Sequence, residues 1–142
     1  MATEDGVRAA STQFYTALNR MVAGDTAAMD DIWSHDTSVT AMHPIGGRQT
    51  GWDEVRESFA QVGQIATGGR VELRDQYIEV GDDLAYEIGI EQGQAIIAGE
   101  PVELEHRVTN VYRREGSEWR LVHHHTDLSP GMLEILGRLQ AA

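Results

Sequence analysis

The chain has 142 residues, 41% of them hydrophobic and 24% charged, which fits one soluble globular domain with room for a core. A formal net charge of -12 repels nucleic-acid phosphates and anionic membrane surfaces, so neither is expected as a partner. There is no cysteine, and all 11 positive side chains are arginine, which excludes disulfides, thiolate chemistry and Schiff bases on lysine.

The acidic start Met1-Ala2-Thr3-Glu4-Asp5 does not read as a secretion signal, and no apolar run is long enough to span a bilayer. A cytoplasmic protein is expected. Val7, Ala10, Phe14, Leu18 and Met21 form one helical stripe, which predicts a helix over roughly 5–22. Gly24-Asp25 ends it, and Asp25 caps a short helix carrying Met29, Ile32 and Trp33. Ser38 to His43 reads as a strand, because Pro44 disfavours helix in the residue before it. Gly46-Gly47 makes a turn, and Trp52, Val55, Phe59 and Val62 mark a third helix.

Beyond Gly68-Gly69 the pattern turns to β. Val71 to Val80 is one strand and Leu84 to Glu91 its hairpin partner, while Gln92 to Pro101 gives no clear reading. Leu104 to Arg113 is a long strand. Glu115-Gly116-Ser117 turns it into Trp119–Asp127, and Ser129-Pro130 opens a C-terminal helix with Met132, Ile135, Leu136 and Leu139 inward. Helices first and a meandering sheet after predict one α+β domain over 1–142. It is expected to be a cone-like fold with N-terminal helices packed on a curved mixed or antiparallel sheet that encloses a pocket.

Three of the six histidines stand together as His123-His124-His125. Strict strand alternation puts Trp119, Leu121, His123, His125 and Asp127 on one face, apolar at one end and ionisable at the other. Imidazole suits proton transfer near neutral pH. On the preceding strand Arg107 and Thr109 share one face, and His106, Asn110 and Tyr112 the other. Hairpin register decides which meets the pocket. Arg107 is read as a clamp for a substrate carboxylate and Asn110 as a donor to an oxyanion. Asp127 either orients His123 or His125 or caps the last helix. Trp33 and Trp119 are read as apolar walls. His43, His123 and His125 together could surround Zn or Cu, a competing reading of a histidine-ligated metal protein.

The segment Ser38-Val39-Thr40-Ala41-Met42-His43-Pro44-Ile45-Gly46 resembles the strand of ketosteroid isomerases that ends in Asp-Pro-hydrophobic-Gly. The tail from Trp119 to Gly137 is similar to that of SnoaL-type proteins. With the order of elements, these place the chain in resemblance to the nuclear transport factor 2-like superfamily, of the SnoaL-like and ketosteroid isomerase-like kind. The resemblance implies His43 at the position of the base and His125 near that of the acid/base Asp. It implies Tyr15, on the first helix, as an oxyanion donor. It implies a homodimer formed through the outer sheet face; no cofactor or metal is expected. The expected function is binding of a small molecule with proton transfer next to a carbonyl, of isomerase, dehydratase or cyclase type. The Trp-x-x-x-His-x-His ending is also similar to the association domain of calcium/calmodulin-dependent kinase, which leaves a non-catalytic ligand-binding or oligomerisation module as the alternative.

Overall fold

A computed structural model describes residues 3–141. Helix α1 (Thr3–Val22) is followed by a short 3-10 helix (Ala27–Asp31), strands β1 (Thr40–His43) and β2 (Gly46–Thr50), and helix α2 (Trp52–Ile65). Four strands come next, β3 (Ala66–Val80), β4 (Leu84–Ile97), β5 (Glu100–Glu115) and β6 (Glu118–Thr126), and helix α3 (Pro130–Ala141) closes the chain. The strands form one open sheet in the order β2-β1-β6-β5-β4-β3. Only β1 and β6 pair in parallel, so the sheet is mixed. The α+β cone-like expectation holds.

Phe14 and Val7 on α1, Trp33, and Val55 and Phe59 on α2 bury their side chains against the inner sheet face. Burial of that order contributes about 1.5–3 kcal/mol per large side chain. The Ser129 hydroxyl accepts from the backbone N–H of Met132 at 3.3 Å and caps α3 as the sequence predicts. Leu139, expected inward, is exposed because α3 covers the sheet only with its first two turns, through Met132 and Ile135.

Other departures have local causes. Gly46-Gly47, expected to be a turn alone, begins β2, whose hairpin with β1 turns at Pro44-Ile45. The unreadable stretch Gln92 to Pro101 is strand on both sides of a tight turn at Ala98-Gly99. Both turn residues have positive φ, 52° and 81°, the conformation that matches strand twist in a two-residue hairpin. In β3 the pairing shifts between Arg74 and Tyr77, around Asp75 at φ 55°. That bulge turns Ile78 inward and leaves Tyr77 half exposed.

The consequential irregularity lies between β5 and β6. Tyr112 pairs with Leu121, but Val111 pairs with His123, so Val122 is an extra residue. Alternation is reset there. Trp119 and Leu121 face inward, then His124 and Thr126, and not His123 and His125.

Candidate functional site

One row of side chains crosses the inner face of three adjacent strands. Glu87 of β4 pairs directly with Asn110 of β5, and Asn110 with His124 of β6. Two pleat repeats further on, Glu91 pairs with His106. All five are buried, Glu87 and Asn110 completely. Buried groups of this kind are tolerable only when hydrogen-bonded.

The hydrogen bonds fix the direction of every donor. Asn110 Nδ2 donates to Glu87 Oε1 at 3.0 Å and to the Tyr15 hydroxyl at 3.1 Å. Its amide oxygen therefore faces His124 Nδ1 at 2.6 Å, and His124 must carry its proton on Nδ1. The Tyr112 hydroxyl donates to Glu87 Oε1 at 2.8 Å, and Gln76 Nε2 to Oε2 at 2.6 Å. Gln76 is itself oriented by Arg8, whose guanidinium donates to Oε1 at 2.6 Å. The Tyr15 hydroxyl donates to Glu91 Oε2 at 2.8 Å, and His106 Nε2 to Glu91 Oε1 at 2.7 Å.

His43 stands at the end of β1, buried, with its ring 5.9 Å from that of His124 and edge-on to Phe59. Its Nε2 lies 2.8 Å from Ser58 Oγ. Ser58 gives its only proton to the Val55 carbonyl at 2.6 Å, so His43 Nε2 is the donor and Nδ1 keeps its lone pair. Among the described residues neither His43 Nδ1 nor His124 Nε2 has a hydrogen-bond partner, and His106 Nδ1 is buried without one.

His43, His124, Glu91 and His106 line a cavity of about 60 Å3. Its other walls are apolar, among them Leu18, Val62, Ile97 and the flexible Met21 and Met132. Burial is the chief cause that drives the His43 pKa from 6.5 to about 3, with the His124 ring adding to it. Burial likewise brings His124 to about 4, although Glu91 pulls the other way. Burial pushes the Glu91 carboxyl up, but the bond from His106, the His124 ring and the bond from Tyr15 outweigh it and hold the group below its ordinary value. Burial and Glu91 keep Tyr15 protonated far into the alkaline range. At neutral pH the hollow thus holds two uncharged imidazoles beside an ionised carboxylate.

Of the residues predicted from sequence, His43, Asn110 and Tyr15 gather here. His125 does not: the Val122 bulge turns it to the outer face, where it is exposed and His123 lies beside it, edge-on at 5.6 Å. His123 Nδ1 sits 2.6 Å from the Thr40 hydroxyl. Asp127 orients neither histidine. It accepts from the Arg107 guanidinium at 2.8 and 3.0 Å and from the Arg107 backbone at 3.1 Å, on the outer face. Arg107, Thr109, His125 and Asp127 instead line a shallow outer depression with Ile88 and Ile90. Trp33 is core, packed on Phe59 and Trp52, and Trp119 packs on α1 at Gly6; neither lines the hollow. Asn110 and Tyr15 have spent their donors inside the network, so neither is free to hold an oxyanion. The trio His43, His123 and His125 is split between two faces. Among the described residues no three His, Cys, Asp or Glu side chains are grouped to hold a metal ion.

Glu87, Glu91, His106 and His124 were not singled out by sequence reasoning. The signal was available in part: Ala85, Glu87, Glu91 and Ala95 share one phase of β4, while Tyr86, Ile88 and Ile90 share the other. The rule of apolar-inward faces selects the wrong phase.

Helices on one face of an open curved sheet, around a titratable hollow, define a cone-like α+β domain of the small-molecule-binding kind. The chain belongs to the SnoaL-like domain family, whose model matches residues 7–129. It is similar in structure to a proposed dehydratase of the nuclear transport factor 2-like family from Streptomyces avermitilis, with 25% identity, 87% of this chain and 94% of that one covered, and a TM-score of 0.76. It is similar to a proposed calcium/calmodulin-dependent protein kinase type II association domain from Thiobacillus denitrificans, with 25% identity, 85% and 93% covered, and a TM-score of 0.68. It shares its fold with a cystatin-like protein from Caulobacter vibrioides, at 15% identity, 98% of each chain covered and a TM-score of 0.73. No protein of curated function matches the sequence. No described helix is long and apolar enough to cross a membrane.

Proposed function

We propose that the hollow binds a small organic molecule and transfers a proton within it, with His124 as the base. One observation carries this reading. Asn110, held by Glu87, locks the His124 proton on Nδ1 and leaves Nε2 as a bare lone pair in a buried site. This is the logic by which a carboxylate fixes the working tautomer of an imidazole, extended through one amide. His43 is a second acceptor in the same wall.

Dehydration fits this inventory better than isomerisation or cyclisation, because no donor is left to hold an enolate oxygen. His124 Nε2 takes a proton from carbon and hands it to the departing hydroxyl on the neighbouring carbon. The ligand becomes an alkene plus water, and the imidazole returns to its neutral form. Glu91 nearby stabilises the imidazolium between the two transfers. The similarity to the Streptomyces dehydratase supports this type. The hollow's small volume calls for a compact ligand, or for displacement of Met21 and Met132, whose unbranched side chains repack readily.

The test is conversion of 3-buten-2-ol, a compact alcohol without a carbonyl, to butadiene and water, followed by the ultraviolet absorbance of the diene. His124→Ala is expected to lose about 10²–10⁴-fold of the rate, the usual worth of a positioned base. A wild-type rate no higher than that of the variant would remove His124 as the base.

We further propose a homodimer through the outer sheet face. Tyr77, Tyr86 and Ile88 stay 42–50% exposed there, an apolar area that a lone domain has no reason to carry. The similarity to an association domain supports assembly and is equally compatible with a hollow that binds without turnover.

A further inference from the structure

Every proton in the hollow already has an acceptor inside the protein. Tyr15 gives its own to Glu91, Asn110 gives both of its own to Glu87 and Tyr15, His43 to Ser58, His124 to Asn110 and His106 to Glu91. What faces the cavity is the complement: lone pairs on His43 and His124, and a carboxylate with spare acceptor positions.

We infer that the ligand's recognised group is a hydrogen-bond donor, a hydroxyl or a primary ammonium on a short apolar body, and that ketone oxygens and carboxylates are rejected. This rests on the reading of the hollow as a small-molecule site and names its ligand class. An entering carbonyl or carboxylate oxygen would lose its water and meet only acceptors. That leaves both sides unpaired in a buried place, the costliest outcome for a polar group. A carboxylate would also be repelled by Glu91 a few ångströms away. A hydroxyl, in contrast, meets two imidazole nitrogens that no protein group among the described residues serves. The apolar remainder of the wall, with Leu18, Val62 and Ile97, accepts a hydrocarbon body of a few carbons. The inference reverses the sequence-based expectation of an oxyanion-holding pocket. The reversal follows from hydrogen-bond directions that residue identities alone do not reveal, since Tyr and Asn are donors to a ligand in one network and fully engaged in another.

The full chain, labelled with 15N at histidine, is titrated with 2-propanol, isopropylammonium, acetone and acetate, each of four heavy atoms and small enough for the cavity. The His124 Nε2 and His43 Nδ1 resonances report directly on whether those lone pairs accept. Ligands this small bind in the millimolar range. The expected result is a shift of both nitrogens by 2-propanol or isopropylammonium, with affinity about tenfold or more above that for acetone and acetate. The hydroxyl and ammonium arms show which donor is preferred. Acetone or acetate binding as tightly as the alcohol overturns the inference but leaves a small-molecule hollow standing. No shift with any of the four overturns both. A His124→Gln variant retains bulk and polarity, and loss of the alcohol's preference in it ties the selectivity to that ring. Preference unchanged in the variant removes His124 from the recognition.

Discussion

Replacing Glu87 by leucine is the sharpest probe of the network, because the carboxyl is completely buried and three separate donors converge on it. Tyr112, Asn110 and Gln76 all remain when it is removed. Asn110 keeps its contact with Tyr15, and Gln76 keeps a long one to Ser11 at 3.4 Å, so the Tyr112 hydroxyl is left worst placed. Each stranded buried donor costs about 1–3 kcal/mol. Three of them, partly relieved and offset by the removed desolvation of the acid, give a net loss of about 2–4 kcal/mol. For a domain of this size that lowers Tm by about 5–15 °C in a thermal melt. Glu87→Gln keeps one acceptor oxygen and falls between. A second readout follows from the same geometry. Without Glu87 only the Tyr15 hydroxyl still holds the Asn110 amide in its orientation, so a second His124 tautomer gains population, visible in its 15N shifts. Replacing an ionic group by hydrocarbon is stabilising in some proteins, when its partners are replaced as well. Here they are not. A Glu87→Leu protein that melts at or above the wild-type temperature, with His124 still protonated on Nδ1, would refute the claim that this acid holds the site together.

Acidification tests the buried histidines. His43 and His124 titrate near 3 and 4 when folded against 6.5 when free, so above about pH 6.5 their contribution to stability is level. Below it the unfolded chain gains protons that the folded chain refuses, and stability falls through the window from 6.5 to about 4 and 3. His43→Phe should reduce the slope of unfolding free energy against pH in that window by up to about 1.4 kcal/mol per pH unit, measured by urea titration, and an unchanged slope would contradict its burial as a neutral ring. Gly93→Ala drives a Cβ into the Arg70 carbonyl oxygen across β3 and β4, and is expected to destabilise by about 1–3 kcal/mol or more in the same assay. Ile88→Lys should halve the mass seen by light scattering if the outer face joins two copies. A wild-type chain already monomeric at high concentration would end the dimer proposal.

Much of the fold is legible in the residues because its elements obey local rules. The α1 stripe from Val7 to Met21, the Ser129 cap and the Pro44 stop all rest on short-range physics that the tertiary structure does not override. The site is less legible. His43 is visible from Pro44 and the apolar strand before it. The choice between His124 and His125 depends on one extra residue, Val122, and nothing in Leu-Val-His-His-His marks where a bulge will fall. Aromatic and β-branched side chains extend on either side of it, so both phases look equally buried until the register with Val111 and Tyr112 is known.

Strand β4 shows why the remaining half of the site was hidden. Its inner face reads Ala85, Glu87, Gly89, Glu91, Gly93 and Ala95, and its outer face carries Tyr86, Ile88 and Ile90. By hydrophobicity alone the strand is inside out. A pair of buried acids raises the free energy of the fold unless donors are supplied, and those donors come from three distant places: Tyr15 on α1, Gln76 on the bulged part of β3, and His106, Asn110 and Tyr112 on β5. The small residues between the acids serve the same arrangement, since at Gly93 even a methyl group would collide with β3. The inversion therefore gives one strand two uses at once. Its polar phase sets the direction of the Tyr15, Asn110 and His106 protons and, through Asn110, that of His124, and its apolar phase is left on the outside, where another surface can cover it. A chain selected for stability alone would exchange the two phases. That it does not is the strongest physical reason to read both faces of this sheet as functional.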